Sequence, residues 1–343
     1  MKHSKFTRFS KSIIFKSIAF LIASMLLVVC VSTYFFTVQQ AKTNLHASFE
    51  SNESQLQQLA AFTENEIEVF SKQLALLAKT SEVQSMNPIV VANYIKSYSI
   101  ASLYISGEIV SLFNNKDSLL CNNSMLGTTK ISYPTMDFTK ISPHRPFVSP
   151  WYRGTDNTPK KAFATVVENP ALGNGNLVAN FSIRRLWMRF NDYRVGQKGF
   201  VVVFNSHGEI LFHPDLNKWM NGVHKYTELG IDEFNVKTYE IKEPTFVTLE
   251  DGQQYLANYA YKPSFDMGFI TLQPKFEIDE KSSSIKHISW VLLSAAIIVI
   301  LLVALWLILI LARPMNKLIE HIVKITQGNI DVEEINVGKR NDE

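Results

Sequence analysis

Cysteine is nearly absent from this chain: Cys30 and Cys121 are its only two in 343 residues. Cys30 lies in an apolar run, so the polar middle cannot close an internal disulfide, and its stability must come from a hydrophobic core. Glycine and proline are missing altogether before Pro88, which removes every strong helix breaker from the first quarter of the sequence. No acid stands among the first 16 residues, where Lys2, Lys5, Arg8, Lys11 and Lys16 do. Catalytic signatures are missing too. There is no nucleophile elbow, no zinc-protease helix and no phosphate-cradling glycine loop. His207, His213 and His224 share no ligand-like spacing with an acid or a cysteine, and His213-Pro214 reads as a structural turn. The chain is therefore expected not to be an enzyme and to use no metal or cofactor. A net charge of +3, from 34 basic and 31 acidic residues, gives no reason to expect nucleic acid.

Two long apolar runs bracket the polar middle. Ile18–Phe36 and Ile288–Ala312 carry no charge, and each is long enough to cross a hydrocarbon core of about 30 Å. A cleaved signal peptide is the competing reading of the first run, but that run is over-long and no small-x-small site follows it. Cys30 in LLVVC lacks the small residue that a lipoprotein acceptor expects before it, so lipid-facing packing is the better account. The basic residues before the first run, and Arg313, Lys317 and Lys324 after the second, place both termini in the cytoplasm by the positive-inside bias. The middle then lies outside a plasma (inner) membrane.

Between the runs the pattern changes along the chain. Leu56, Ala60, Thr63, Ile67, Phe70, Leu74 and Leu77 step by fours and threes, a helical seam that packs either on its own domain or on a second protomer. After Pro88 the sequence reads as β: a hairpin from Ser99–Tyr104 and Ile109–Phe113, then strands Lys161–Glu168 and Asn176–Ile183, then a basic, aromatic helix Arg184–Arg194. A second β block follows, with strands Gly199–Phe204, Ile210–His213, Thr245–Leu249, Gln254–Tyr261 and Gly268–Gln273. Lys275–Lys286 reads as a charged helix that leads into the second run.

Three stretches together resemble the double Cache sensor domains of bacterial receptors: GQKGFVVVFNSHGEILFHPD, PFVSPWYRGTDNTPKKAFATVVENP with NLVANFSIRRL, and DGQQYLANYAYKPSFDMGFITLQPK. After the second run, Arg313-Pro314, the steps Met315, Leu318, Ile322, Ile325 and the turn Gly328-Asn329-Ile330-Asp331 resemble a HAMP linker. The resemblance implies an α+β fold of two tandem PAS-like modules on a long N-terminal helix. The expected plan is a cytoplasmic N-terminus (1–16), a first membrane helix (17–37), a stalk helix (38–88), a membrane-distal module (89–195), a membrane-proximal module (196–284), a second membrane helix (288–312) and a partial HAMP unit (313–343). It further implies a homodimer and a cytoplasmic output domain or partner. The chain reads as the N-terminal part of a longer receptor, and the rival reading is a membrane-anchored binding or scaffold protein that relays nothing.

Family members that bind free amino acids hold the ammonium with an acid in the strand that corresponds to VANFSI. Here that place is Asn180, and a neutral amide cannot neutralise a buried ammonium. Basic and aromatic residues are dense nearby, and Arg145, Trp151, Tyr152, Arg153, Asn180 and Lys161 are the expected ligand-binding set. The expected ligand is a small carboxylate or similar anion, because guanidinium groups match carboxylate geometry.

Overall fold

The computed structural model describes residues 13–101, 108–123, 141, 146–220 and 224–312. It is a mixed helix and sheet structure with two antiparallel sheets. Helix α1 (Ile13–Ala78) runs 66 residues without a break, as the absence of glycine and proline allows. Two compact units divide the chain, one of residues 44–279 and one that holds the N-terminal part of α1 and the C-terminal helix.

In the second of these units both helices are long and apolar enough to cross a membrane. Phe20, Tyr34, Phe35, Trp290, Val291 and Trp306 stand exposed on them, which suits a surrounding of lipid and would be costly in water. The C-terminal helix α5 (Lys275–Leu307) closes in a π-helical turn, Ile308–Ala312. The HAMP-like stretch from Arg313 onward lies outside the described residues.

In the unit of residues 44–279, the seam of α1 is spent on its own domain. Leu56, Ala60, Thr63, Ile67, Phe70, Leu74 and Leu77 are all buried there. Phe70 meets Phe163 and Phe181 edge to face, with ring centroids 5.5 and 5.3 Å apart, the geometry that the ring quadrupoles favour. Of the two partners that the seam could have had, the chain's own sheet has taken it.

Beyond α1, the short helix α2 (Ser81–Gln84) and helix α3 (Pro88–Ala101) precede the first sheet. The expected strand at Ser99–Tyr104 is corrected here, since its start, through Ala101, is the end of α3. Asn87 caps α3, its Oδ1 accepting from Ile89 N at 3.1 Å and Val90 N at 3.4 Å, and Pro88 occupies the first turn, where its missing N–H costs nothing. Val91 and Ile95, one turn apart, are buried, so packing overrides the β preference of the branched residues.

The distal sheet comprises β1 (Val110–Phe113), β2 (Leu119–Asn122), β3 (Phe147–Val148), β4 (Tyr152–Arg153), β5 (Pro159–Val167) and β6 (Gly175–Ser182) in the order β2-β1-β6-β5-β3, with β4 also on β5. A 3₁₀ turn (Ile183–Leu186) and helix α4 (Trp187–Asp192) link it to the proximal sheet. That sheet holds β7 (Phe200–Phe204), β8 (Ile210–Phe212), β9 (Thr245–Thr248), β10 (Gln254–Lys262) and β11 (Met267–Pro274) in the order β8-β7-β11-β10-β9. Each sheet lays one face on α1. In the proximal sheet, Asn258 Nδ2 donates to the Phe49 carbonyl at 3.1 Å and Asn52 Nδ2 to Gln273 Oε1 at 2.8 Å.

Candidate functional site

Side chains alternate across a strand, so the pairing register decides which residues of the distal sheet share a face. Phe163 and Phe181 touch Phe70, and Lys161 lies directly opposite Phe181. The other face carries Lys160 opposite Ser182, Ala162 opposite Asn180 and Ala164 opposite Val178. Tyr152 joins it opposite Lys160, and Ser111 opposite Val178. This face is polar around a floor of two alanines, and it is buried: Ser111, Ala162 and Ala164 fully, Asn180 to all but 5%.

The Tyr152 hydroxyl donates to Asn180 Oδ1 at 2.6 Å. Because the amide oxygen takes that bond, Asn180 offers its Nδ2 hydrogens to something else, and none of the hydrogen bonds among the described residues uses them. Lys160 supplies the positive charge of the face, with Asp156 Oδ1 at 3.1 Å from its Nζ. Burial raises the Asp156 carboxyl, but bonds from Thr158 and Lys160 outweigh it, so its pKa ends below the ordinary value. At the rim, Glu108 Oε1 accepts from Ser182 N at 3.2 Å. Burial pushes the Glu108 carboxyl up to about 7, against the pull of that bond and of Arg185 and Lys160.

Of the six expected site residues, Tyr152 and Asn180 meet here. Arg145 lies outside the described residues. The other three lie apart from this face: they turn toward the proximal module. Arg153 gives its guanidinium hydrogens to three carbonyls, those of Asn157 (2.8 Å), Ile210 (3.2 Å) and Trp219. Trp151 Nε1 donates to the Phe265 carbonyl at 2.9 Å. Lys161 sits with its Nζ 5.0 Å from the Trp151 ring centroid, and burial lowers its pKa to about 8 although Asp266 works the other way. A small cavity of about 230 Å³ between Trp151, Tyr152, Arg153 and Glu209, Ile210, Leu211 marks this junction.

Lys160, one of the basic residues dense in this stretch, and Glu108 stand outside the expected set but adjoin this face. A signal for Lys160 was present: Lys161 and Phe163 have the same parity on one strand, so if Phe163 belongs to the core, Lys160 faces away from it. Glu108 precedes its strand and had no local signal.

On the proximal sheet, aromatic rings pack the face turned away from α1. Phe204 stacks with Tyr259 (6.0 Å) and packs on Tyr226 (4.8 Å), while Phe234 lies 4.0 Å from Tyr239. A Cβ at Gly268 would stand 2.9 Å from the Phe204 ring and 3.0 Å from the Tyr259 hydroxyl. His213, near the end of β8, accepts from Asp215 N through Nδ1 at 3.0 Å, which is the turn role expected of it.

No protein-family model matches the chain, and no curated protein matches it. Solved structures do. The ligand-binding domain of the Pseudomonas fluorescens chemoreceptor CtaA, in complex with L-isoleucine, is 13% identical over 71% of this chain and 98% of its own, with a TM-score of 0.50. Residues 44–279 have the double Cache fold. Other solved domains that match include the extracellular domain of the putative histidine kinase mmHK1S-Z3 (13% identity, 71% of this chain and 98% of that one, TM-score 0.48). Another is the ligand-binding domain of the Pseudomonas aeruginosa PAO1 chemoreceptor PctC in complex with GABA (14% identity, 68% and 99%, TM-score 0.41). The Cache fold accounts for the two antiparallel sheets on one helix.

Proposed function

We propose that this protein is a membrane receptor subunit whose distal Cache module senses a small carboxylate through the Tyr152, Lys160 and Asn180 face. One observation carries the reading: Asn180, nearly fully buried, spends its oxygen on Tyr152 and leaves an amide N–H₂ donor on the same face as a lysine. Donor and cation together suit an anionic oxygen. An isolated ammonium would find Asp156 already engaged by Lys160, and Asn180 with no charge to offer.

In this reading the two apolar helices cross the membrane with both termini in the cytoplasm. The state of the distal module passes through α5 and the HAMP-like segment to an output domain or partner. The working unit is a homodimer, whose contact must use surfaces other than the buried α1 seam. The test is a thermal-shift panel on the full chain in lipid nanodiscs with succinate, L-isoleucine, GABA and putrescine. Stabilisation by succinate supports the carboxylate reading. Stabilisation by putrescine alone, or by the amino acids and not by succinate, overturns it. Protease added to intact cells should cut within residues 39–286, and a cut only after permeabilisation would reverse the topology.

A further inference from the structure

We infer that the two-residue strand β4 carries the state of the distal site to the proximal module, with Trp151 and Arg153 as the positioning residues of that transfer. The inference rests on reading the Tyr152 face as the ligand site.

β4 has a short pairing with its own sheet. Only two register positions, Tyr152 opposite Lys160 and Arg153 opposite Pro159, join it to β5. Against these stand four side-chain bonds to the proximal module. They are Trp151 Nε1 to the Phe265 carbonyl, Arg153 to the Trp219 and Ile210 carbonyls, and Asn157 Nδ2 to the Met220 carbonyl. Alternation does the rest. Tyr152 points to the polar face and bonds Asn180, while its two neighbours hold the other module. A ligand that competes for Asn180 or Tyr152 thus acts on a segment whose immediate neighbours also hold the proximal module, while Ser149 and Gly154 tie its ends to the distal one.

The receiving end is stiff. Phe265 belongs to the turn before β11, and Asp266 in that turn accepts from Ser206 N at 3.1 Å and from the Tyr261 hydroxyl at 3.0 Å. Met267 then opens β11, whose eight residues are all buried. The strand spans about 27 Å at 3.3–3.4 Å per residue and passes directly into α5 at Lys275. In the first turn of α5, Glu277 accepts from Gln197 N (3.0 Å) and Lys198 N (2.6 Å). A shift at Phe265 therefore enters the strand that leads to α5 without crossing a loop. By linkage, what the proximal module does to Trp151 and Arg153 must equally alter the affinity of the distal site.

Hydrogen exchange by mass spectrometry on the full chain in nanodiscs tests this without a ligand. Asn180→Leu removes the acceptor of the Tyr152 hydroxyl. Exchange in peptides covering residues 208–220 and 262–274 should then change about fivefold, the effect of one hydrogen bond. With Trp151→Phe and Arg153→Met already in place, Asn180→Leu should leave those peptides as they are in that parent. Proximal exchange that ignores Asn180→Leu in the otherwise native chain overturns the inference, and so does a change that persists without Trp151 and Arg153. Should Arg153→Met fail to fold, Trp151→Phe alone, which keeps the ring and loses the N–H, gives the same discrimination at a smaller amplitude. Failure of the carboxylate panel would leave these exchange results standing, so the two readings can fall separately.

Discussion

On the distal sheet, the face turned away from α1 carries Ser111, Tyr152, Lys160, Ala162, Asn180 and Ser182. On the proximal sheet the corresponding face carries Phe200, Val202, Phe204, Tyr255, Tyr259 and Leu272, and Tyr226, Phe234 and Tyr239 cover it. Two sheets of similar build, laid on one helix, thus differ in the side chains of their outer faces. Aromatic rings pack the proximal face, whereas alanines and polar side chains make up much of the distal one. Sheets of similar topology thus carry outer faces of different chemistry, and the side chains make the difference.

The comparison can be broken most forcefully at Phe204. Phe204→Ala should destabilise the proximal module by about 3–5 kcal/mol, read as a fall in the denaturant midpoint; a cost under about 1 kcal/mol would mean that the ring stack is not its core. On the distal face, Lys160→Met should weaken binding of the stabilising carboxylate by about ten- to a hundredfold, as loss of a charged hydrogen bond does. Calorimetric titration measures it. Lys161→Met, one residue away on the opposite face, should change that affinity less than about threefold. Equal effects of the two lysines would refute the face assignment.

Titration sharpens the contrast further, because the two modules should respond to pH in opposite directions. Burial lowers the pKa of His213 to about 4 from an ordinary 6.5. Its contribution to stability is complete above 6.5 and is lost as pH falls toward 4. Glu108 has its pKa raised to about 7 from an ordinary 4.5, so its contribution is complete below 4.5 and is lost as pH rises through 7. Each effect is on the order of 2 kcal/mol. Thermal unfolding of the full chain from pH 4 to 8 should show His213→Asn removing the acid-side loss and Glu108→Gln the neutral-side loss. The smallest expected effect is at Asn87, where Asn87→Ala should cost about 1 kcal/mol by uncapping α3.

Much of the architecture was legible before any coordinates. The absence of glycine and proline before Pro88 forecast a long α1. The strands Gly199–Phe204, Gln254–Tyr261 and Gly268–Gln273 stand within a residue or two of where alternation and turn residues put them. α3 was misread because Val90, Val91, Ile95 and Ile100 are β-branched, and propensity yields to a cap and a packed face. Of the candidate site residues, Tyr152 and Asn180 share one face of the sheet. Their neighbours in sequence, Trp151, Arg153 and Lys161, were drawn in by chemistry alone, although a strand sends neighbours to opposite sides.

The sequence by itself determined the periodicities: two apolar spans, a breaker-free helix and strands that alternate. These follow from local sterics and hydropathy, which each segment carries with it. Only the tertiary structure decided that the α1 seam is consumed by the distal sheet, that Lys160 and not Lys161 stands beside Asn180, and that Arg153 grips the other module. Such choices depend on which residues far apart in the chain become neighbours, and no single segment holds that information.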